Sequence, residues 1–154
     1  MTRSAGVHIH QELLRIFVES FSIPPKKVIL DFDATDIPIP GNQEGKAYHG
    51  YYNHDCFLPL HVFCGDHLLV SYLRKSNEDA AKHAWAILAI LVKYLKSKWP
   101  KVQIIFRGDG SFCRQNMLNW CDRHKVGYIV GLACNFRLQK ALHPYLEKAK
   151  ITYQ

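Results

Sequence analysis

The chain has 154 residues, 48% hydrophobic and 21% charged, the size and composition of one ordinary globular domain and not of a disordered segment. Its longest apolar run, Trp85 to Val92, falls far short of the ~20 residues a membrane helix needs, and the opening MTRSAGVHIHQELLR has no apolar signal core, so a cytoplasmic protein without a membrane partner is expected. A net charge of +7 and a pI near 9.2 point to a polyanionic partner, nucleic acid first.

Five cysteines (Cys56, Cys64, Cys113, Cys121, Cys134), odd in number and without a C-x-x-C pair, read as reduced and mostly buried. No repeat, low-complexity tract or Gly/Ser linker divides the chain. Residues 1–26 read as a helical segment preceding the core: Ile9, Leu13, Ile16 and Phe17 make one amphipathic face over 9–20, and Pro24-Pro25 stops it. VILDFD, residues 28–33, predicts a strand. Residues 38–55, with three glycines and two prolines, predict a long loop or loose hairpin. Phe57–Phe63 and Leu68–Leu73 predict two strands joined by the turn Cys64-Gly65-Asp66-His67.

Ser76-Asn77-Glu78-Asp79 matches a capping box. It is expected to open a long helix with Ala81, Ala84, Trp85, Leu88, Leu91, Val92 and Leu95 inward, ended by Pro100. A strand over Val102–Phe106 leads into Arg107-Gly108-Asp109-Gly110-Ser111. A helix over 114–124 with Met117, Leu118 and Cys121 inward follows, then a strand over 128–132 and a helical tail interrupted by Pro144. The expected fold is α/β: a mixed sheet made of a three-strand meander plus two crossover strands, with helices packed on it. In topology this is the order of a ribonuclease H-like fold.

Side chains alternate on a strand, so Asp31, Asp33 and Thr35 share a face with Ile29 while Leu30 and Phe32 point the other way. Two carboxylates there are costly unless a cation, a metal or exposure at the strand end compensates them. Either the strand stops at Leu30 and leaves the acids in a solvated loop, or they serve a site. A second acid favours the site: Asp109 follows a crossover strand, and ligands of open α/β sheets collect outside the carboxyl ends of strands. Hard oxygen ligands of this kind suit Mg²⁺ or Mn²⁺.

Asp31-Phe32-Asp33-Ala34-Thr35 also fits the D-x-D-x-T pattern of haloacid-dehalogenase-like phosphatases, with Asp31 as nucleophile. That family's G-D-G-x-x-D motif, however, fails at Cys113. More of the chain is covered by another resemblance. LDFDATD, GNQEGKAYHGYYNH, CFLPLHVFCGDHLLVSYLR, SNEDAA, WPKVQIIFRGDGSFCR and VGYIVGLACNFRL, in this order, resemble the DDE transposases of bacterial insertion sequences. The branch is the IS4-like one, DDE group 1, whose ribonuclease H-like core is interrupted by a β-rich insertion.

The resemblance implies a partial DDE core over 27–154, with Asp33 and Asp109 as the first and second catalytic, metal-holding acids and Asp31 in a supporting place. It implies Mg²⁺ or Mn²⁺, two-metal phosphoryl transfer on DNA, and transposon ends and target as partners. A bacterial, nucleoid-associated setting follows, as does a homodimer or mixed assembly with full-length transposase. The family's third acid, in a tyrosine-arginine-glutamate-lysine signature, has no match: Glu147 in Tyr145-Leu146-Glu147-Lys148 lacks the arginine and follows Asp109 too closely. The chain is therefore expected to be a truncated catalytic core, inactive alone. The competing class is a non-catalytic DNA-binding or dimerising remnant, in which Lys82, Lys93, Lys96, Lys98 and Lys101 matter more than the aspartates. Pro40 stands where the resemblance implies histidine. His49 and His54 are expected to be ordinary hydrogen-bonded histidines and not zinc ligands. Arg107, next to Asp109, is expected to offset that carboxylate or meet DNA phosphate, and Asn135 and Arg137 either touch DNA or open an exposed helix.

Overall fold

The computed structural model describes residues 3–132 and 135–152, so Cys134 lies outside the described residues. Helix α1 (Arg3–Glu19) leads into strand β1 (Lys27–Ala34). Three short strands follow, β2 (Ile37–Pro38), β3 (Ala47–His49) and β4 (His54–Phe57), and then the hairpin β5 (Leu60–Cys64) and β6 (His67–Tyr72). Helix α2 (Ala84–Lys98), β7 (Gln103–Gly108), α3 (Gln115–His124), β8 (Gly127–Val130) and α4 (Phe136–Thr152) complete the order.

The main sheet has five strands in the order β6-β5-β1-β7-β8. β1 pairs antiparallel with β5 and parallel with β7, and β7 pairs parallel with β8. This is the meander with two added crossover strands that the sequence predicts, in the ribonuclease H-like order. The β5–β6 turn needs only Gly65-Asp66, with Gly65 at φ 58°, a left-handed conformation that glycine enters without a Cβ clash.

Alternation puts Val28, Leu30 and Phe32 of β1 on one face with Leu60, Val62, Ile104 and Phe106, all buried. Leu88, Leu91 and Leu95 of α2, Leu14 and Phe17 of α1, and Met117 and Cys121 of α3 belong to the same core. Each fully buried Leu or Phe contributes about 1.5–3 kcal/mol, so this face holds the fold together. The opposite face is more open and carries Asp31, Asp33 and Arg107. Four cysteines are free thiols: Cys56 and Cys121 are buried and Cys64 and Cys113 half-buried. Burial pushes the Cys121 thiol up to about 11.

Local expectations fail where distant groups intervene. α1 buries Leu14 and Phe17, while Ile9 and Ile16 are 45% and 53% exposed. Phe17 rotates the helix by packing edge-on against Phe21, His67 and Trp99. The capping box at Ser76–Asp79 does not form. The Ser76 hydroxyl donates to the Ala47 carbonyl, and the buried Arg74 guanidinium donates to the carbonyls of Leu58, Ala80 and Lys82. With those carbonyls taken, α2 starts only at Ala84, behind His83 in the left-handed region, and Trp85 is exposed.

The stretch expected as a long loop or loose hairpin does hold a hairpin, β3–β4, which β2 extends into a small sheet of order β2-β4-β3. α4 runs through Pro144 instead of breaking there. None of its residues is buried, so the Lys140 carbonyl that proline leaves without an N–H donor lies in solvent.

Candidate metal centre

β1 does not stop at Leu30. It continues to Ala34, with Asp31 opposite Phe63 and Asp33 opposite His61 of β5. On its other side Asp31 is level with Arg107 and Phe32 with Gly108, so Asp33 and Asp109 are the next residues along two neighbouring parallel strands. Such strands lie about 4.7–4.9 Å apart. Both acids line one cavity of about 410 Å³ with Asp31, Phe32, Phe63 and Gly108.

Three acids at this edge have three different partners. Asp31 is clamped by Arg107, whose Nε–H donates to Oδ1 at 2.9 Å and whose terminal nitrogen donates to Oδ2. This hydrogen bond and charge raise the Arg107 pKa above its usual value. Asp33 accepts from the Thr35 hydroxyl. Asp109 caps a 3-10 turn over Gly110–Phe112, accepting from the Ser111 backbone N–H at 2.9 Å and from its hydroxyl. Among the described residues, neither Asp33 nor Asp109 forms an ion pair. Arg107 thus serves Asp31, not the acid two positions beyond it.

The hydroxyls of Thr35 and Ser111 went unnoticed as site residues in the sequence. The signal was there: each acid is followed two positions later by a hydroxyl side chain, D-A-T and D-G-S, the spacing of a local side-chain turn. Two exposed carboxylates, fixed by hydroxyls and without an ion pair among the described residues, fit the hard oxygen donors a divalent ion takes and would supply part of its ligand set. No cluster of three or more His, Cys, Asp or Glu suited to a metal occurs among the described residues.

The remaining candidates lie elsewhere. Glu147 pairs with Lys150 at 2.8 Å on exposed α4. His54 Nε2 meets Asp36 Oδ2 at 2.9 Å, and His49 Nδ1 accepts from the Tyr51 N–H at 3.3 Å. Asn135 caps α4, accepting from the Leu138 N–H at 2.9 Å, and Arg137, the helix's second residue, is exposed. Lys82 pairs with Glu78, and Lys96 donates to the His124 carbonyl.

Residues 2–154 match the family model described as Transposase DDE domain group 1. The chain belongs to this DDE transposase family. Solved transposase structures are similar, three of them as follows. The catalytic domain of Mos1 mariner transposase matches at 12% identity and a TM-score of 0.49, covering 100% of this chain and 75% of that one. The Mos1 mariner paired-end complex with Mn matches at 14% and 0.46, covering 83% and 43%. The piggyBac transposase synaptic complex with hairpin DNA matches at 12% and 0.45, covering 82% and 28%. The chain thus spans less than half of the transposase chains in those two complexes. No curated protein matches it. The family match leaves the phosphatase pattern without support, and Asp31, its required nucleophile, has both oxygens engaged by Arg107. No helix among the described residues is long and apolar enough to cross a membrane.

Proposed function

We propose that residues 27–154 are a partial DDE catalytic core, preceded by the helical segment 1–26, in which Asp33 and Asp109 hold Mg²⁺ or Mn²⁺ for phosphoryl transfer on DNA. The observation that carries this is the convergence of the two acids on one cavity with no cationic partner among the described residues. The bound ions supply Lewis-acid activation of an attacking water or 3′-hydroxyl and stabilisation of the leaving oxygen in an in-line displacement. Thr35 and Ser111 keep the carboxylates aimed at the cavity, and Arg107 holds Asp31 away from them.

The reaction needs a further carboxylate beyond these two. The 154-residue chain by itself is expected to bind metal and DNA without cleaving, and cleavage belongs to an assembly with full-length transposase acting on transposon ends and target. Calorimetric titration with Mn²⁺ tests the site: Asp33→Asn and Asp109→Asn each lose the binding that the wild-type chain shows. Unchanged titration in both variants removes the proposal.

A second reading, a DNA-binding remnant that interferes with full-length transposase, is favoured by one observation. Lys26, Lys98 and Lys101 surround a groove of about 430 Å³ and form no ion pair among the described residues. Salt-dependent DNA binding that survives loss of both aspartates supports it.

A further inference from the structure

Asp109 lines a second cavity, of about 290 Å³, whose other wall is the tip of the β3–β4 hairpin. That tip is GYYN, closed by the His49–His54 pair, and the metal-site reading gives it no role. Its shape is held from several directions. Asn53 adopts φ 58°, donates its N–H to the His49 carbonyl at 2.8 Å, and accepts from the Tyr48 hydroxyl at 3.2 Å. His54 is anchored on Asp36, and the Ser76 hydroxyl ties β3 at Ala47 to the segment that Arg74 organises. That segment contributes Ala80 to the same cavity.

The tip presents a particular chemistry. Tyr51 is 83% exposed and stands edge-on to Tyr52 at 5.1 Å, so one aromatic face is free and braced by a second ring. Tyr52 packs in turn on His49 at 4.8 Å. Because His49 Nδ1 accepts from the Tyr51 N–H, its neutral ring carries the proton on Nε2, a donor in the cavity wall. The Tyr52 hydroxyl keeps its proton, burial and the nearby Asp36 raising its pKa.

Resting on the reading of Asp33 and Asp109 as metal ligands, we propose that Tyr51 and Tyr52 form a stacking platform for an unpaired nucleotide. The phosphate of that nucleotide lies beside Asp109, the residue the two cavities share, with His49 facing it from the tyrosine side. An aromatic face beside a phosphate site suits a nucleobase whatever its identity, and such stacking is sequence-tolerant. A duplex cannot present a base face sideways, so the strand held here is single or locally opened.

The test uses the full chain and a short single-stranded oligonucleotide carrying 5-iododeoxyuridine, with Ca²⁺ or Mn²⁺ present. Long-wavelength irradiation should give an adduct on Tyr51 or Tyr52, mapped by mass spectrometry. Tyr51→Ala should weaken binding by fluorescence anisotropy roughly 5- to 100-fold, as expected for loss of one stacked base, and Tyr51→Trp should restore it. Mn²⁺ titration is run on the same samples. Unchanged affinity in Tyr51→Ala and Tyr52→Ala, or adducts only at other sites, with Mn²⁺ binding intact, overturns the platform alone. Absence of Mn²⁺ binding by the wild-type chain overturns the acid-site reading and the platform with it.

Discussion

Arg74 is 4% exposed and its guanidinium meets three backbone carbonyls, from Leu58, Ala80 and Lys82. Burial lowers its pKa, with Glu78 and Asp79 opposing that shift. A planar fork reaches three divergent acceptors, whereas an ammonium on a shorter stem does not. Arg74→Lys keeps the buried charge while giving up most of those bonds, each worth about 1.5–3 kcal/mol when one partner is charged. A loss of about 2–4 kcal/mol in urea unfolding is expected; an unchanged midpoint would show that the fork is dispensable. Thr35 calls for the opposite readout. It is exposed, and among the described residues its hydroxyl hydrogen-bonds the Asp33 carboxylate. Groups that orient metal-holding carboxylates typically change affinity by 10–100-fold. Thr35→Val should therefore weaken Mn²⁺ binding by roughly tenfold or more while leaving the unfolding midpoint in place.

At the scale of elements, backbone proximity fixes Asp109. A Cβ on Gly131, just past β8, would sit 2.7 Å from the Gly110 nitrogen and 3.1 Å from the Asp109 carbonyl carbon. Backbone at that distance cannot swing aside as a flexible side chain does, so the turn bearing Asp109 must move. Gly131→Ala is expected to reduce Mn²⁺ affinity more than its effect on stability alone explains, with titration and urea unfolding compared on one preparation. Pro144 in α4 behaves differently, since a helix-interior proline costs about 3 kcal/mol relative to alanine yet this helix buries nothing. Pro144→Ala should deepen the helical circular dichroism signal without shifting global unfolding, because α4 contributes nothing to the core.

The contrast between these elements shows what the sequence could convey. β1, β5, β6 and β7 were readable because one buried face imposes a two-residue period on Val28, Leu30 and Phe32 and on their neighbours. The meeting of Asp33 and Asp109 at one sheet edge was readable because that period carries past Leu30 and a second parallel strand ends beside it. β3 and β4 were readable only as a loose hairpin and β2 not at all, since strands of two to four residues are too short to show a period. The segment 76–83 misled because the Ser76 hydroxyl is claimed by Ala47 and the Asp79 carboxylate by Arg114, 29 and 35 residues away, while Arg74 takes the carbonyls of Ala80 and Lys82. Ile9 and Ile16 misled for a related reason: Phe17 answers to Trp99 and His67, far along the chain.

The whole molecule is electrically divided along its sheet. Asp31, Asp33 and Asp109 stand at the carboxyl ends of β1 and β7, while Lys26, Lys27, Lys98 and Lys101 gather at their amino ends. Asp33 stands six strand steps beyond Lys27, about 20 Å at 3.3 Å per residue, against a screening length of about 8 Å in physiological salt. The two ends are thus electrostatically independent under those conditions. If the lysine end holds DNA, removing acid charge should leave its salt dependence untouched, whereas removing a lysine should flatten it. Each phosphate contact contributes about −0.9 to the slope of log K against log salt on duplex DNA. The double variant Lys98→Ala, Lys101→Ala is therefore expected to lose up to about 2 units of slope, with Mn²⁺ binding preserved. Asp33→Asn is expected to do the reverse, losing Mn²⁺ and keeping the slope. A slope that responds to Asp33→Asn and ignores both lysines would move the DNA contact to the acid end and leave the basic groove without a polyanion to hold.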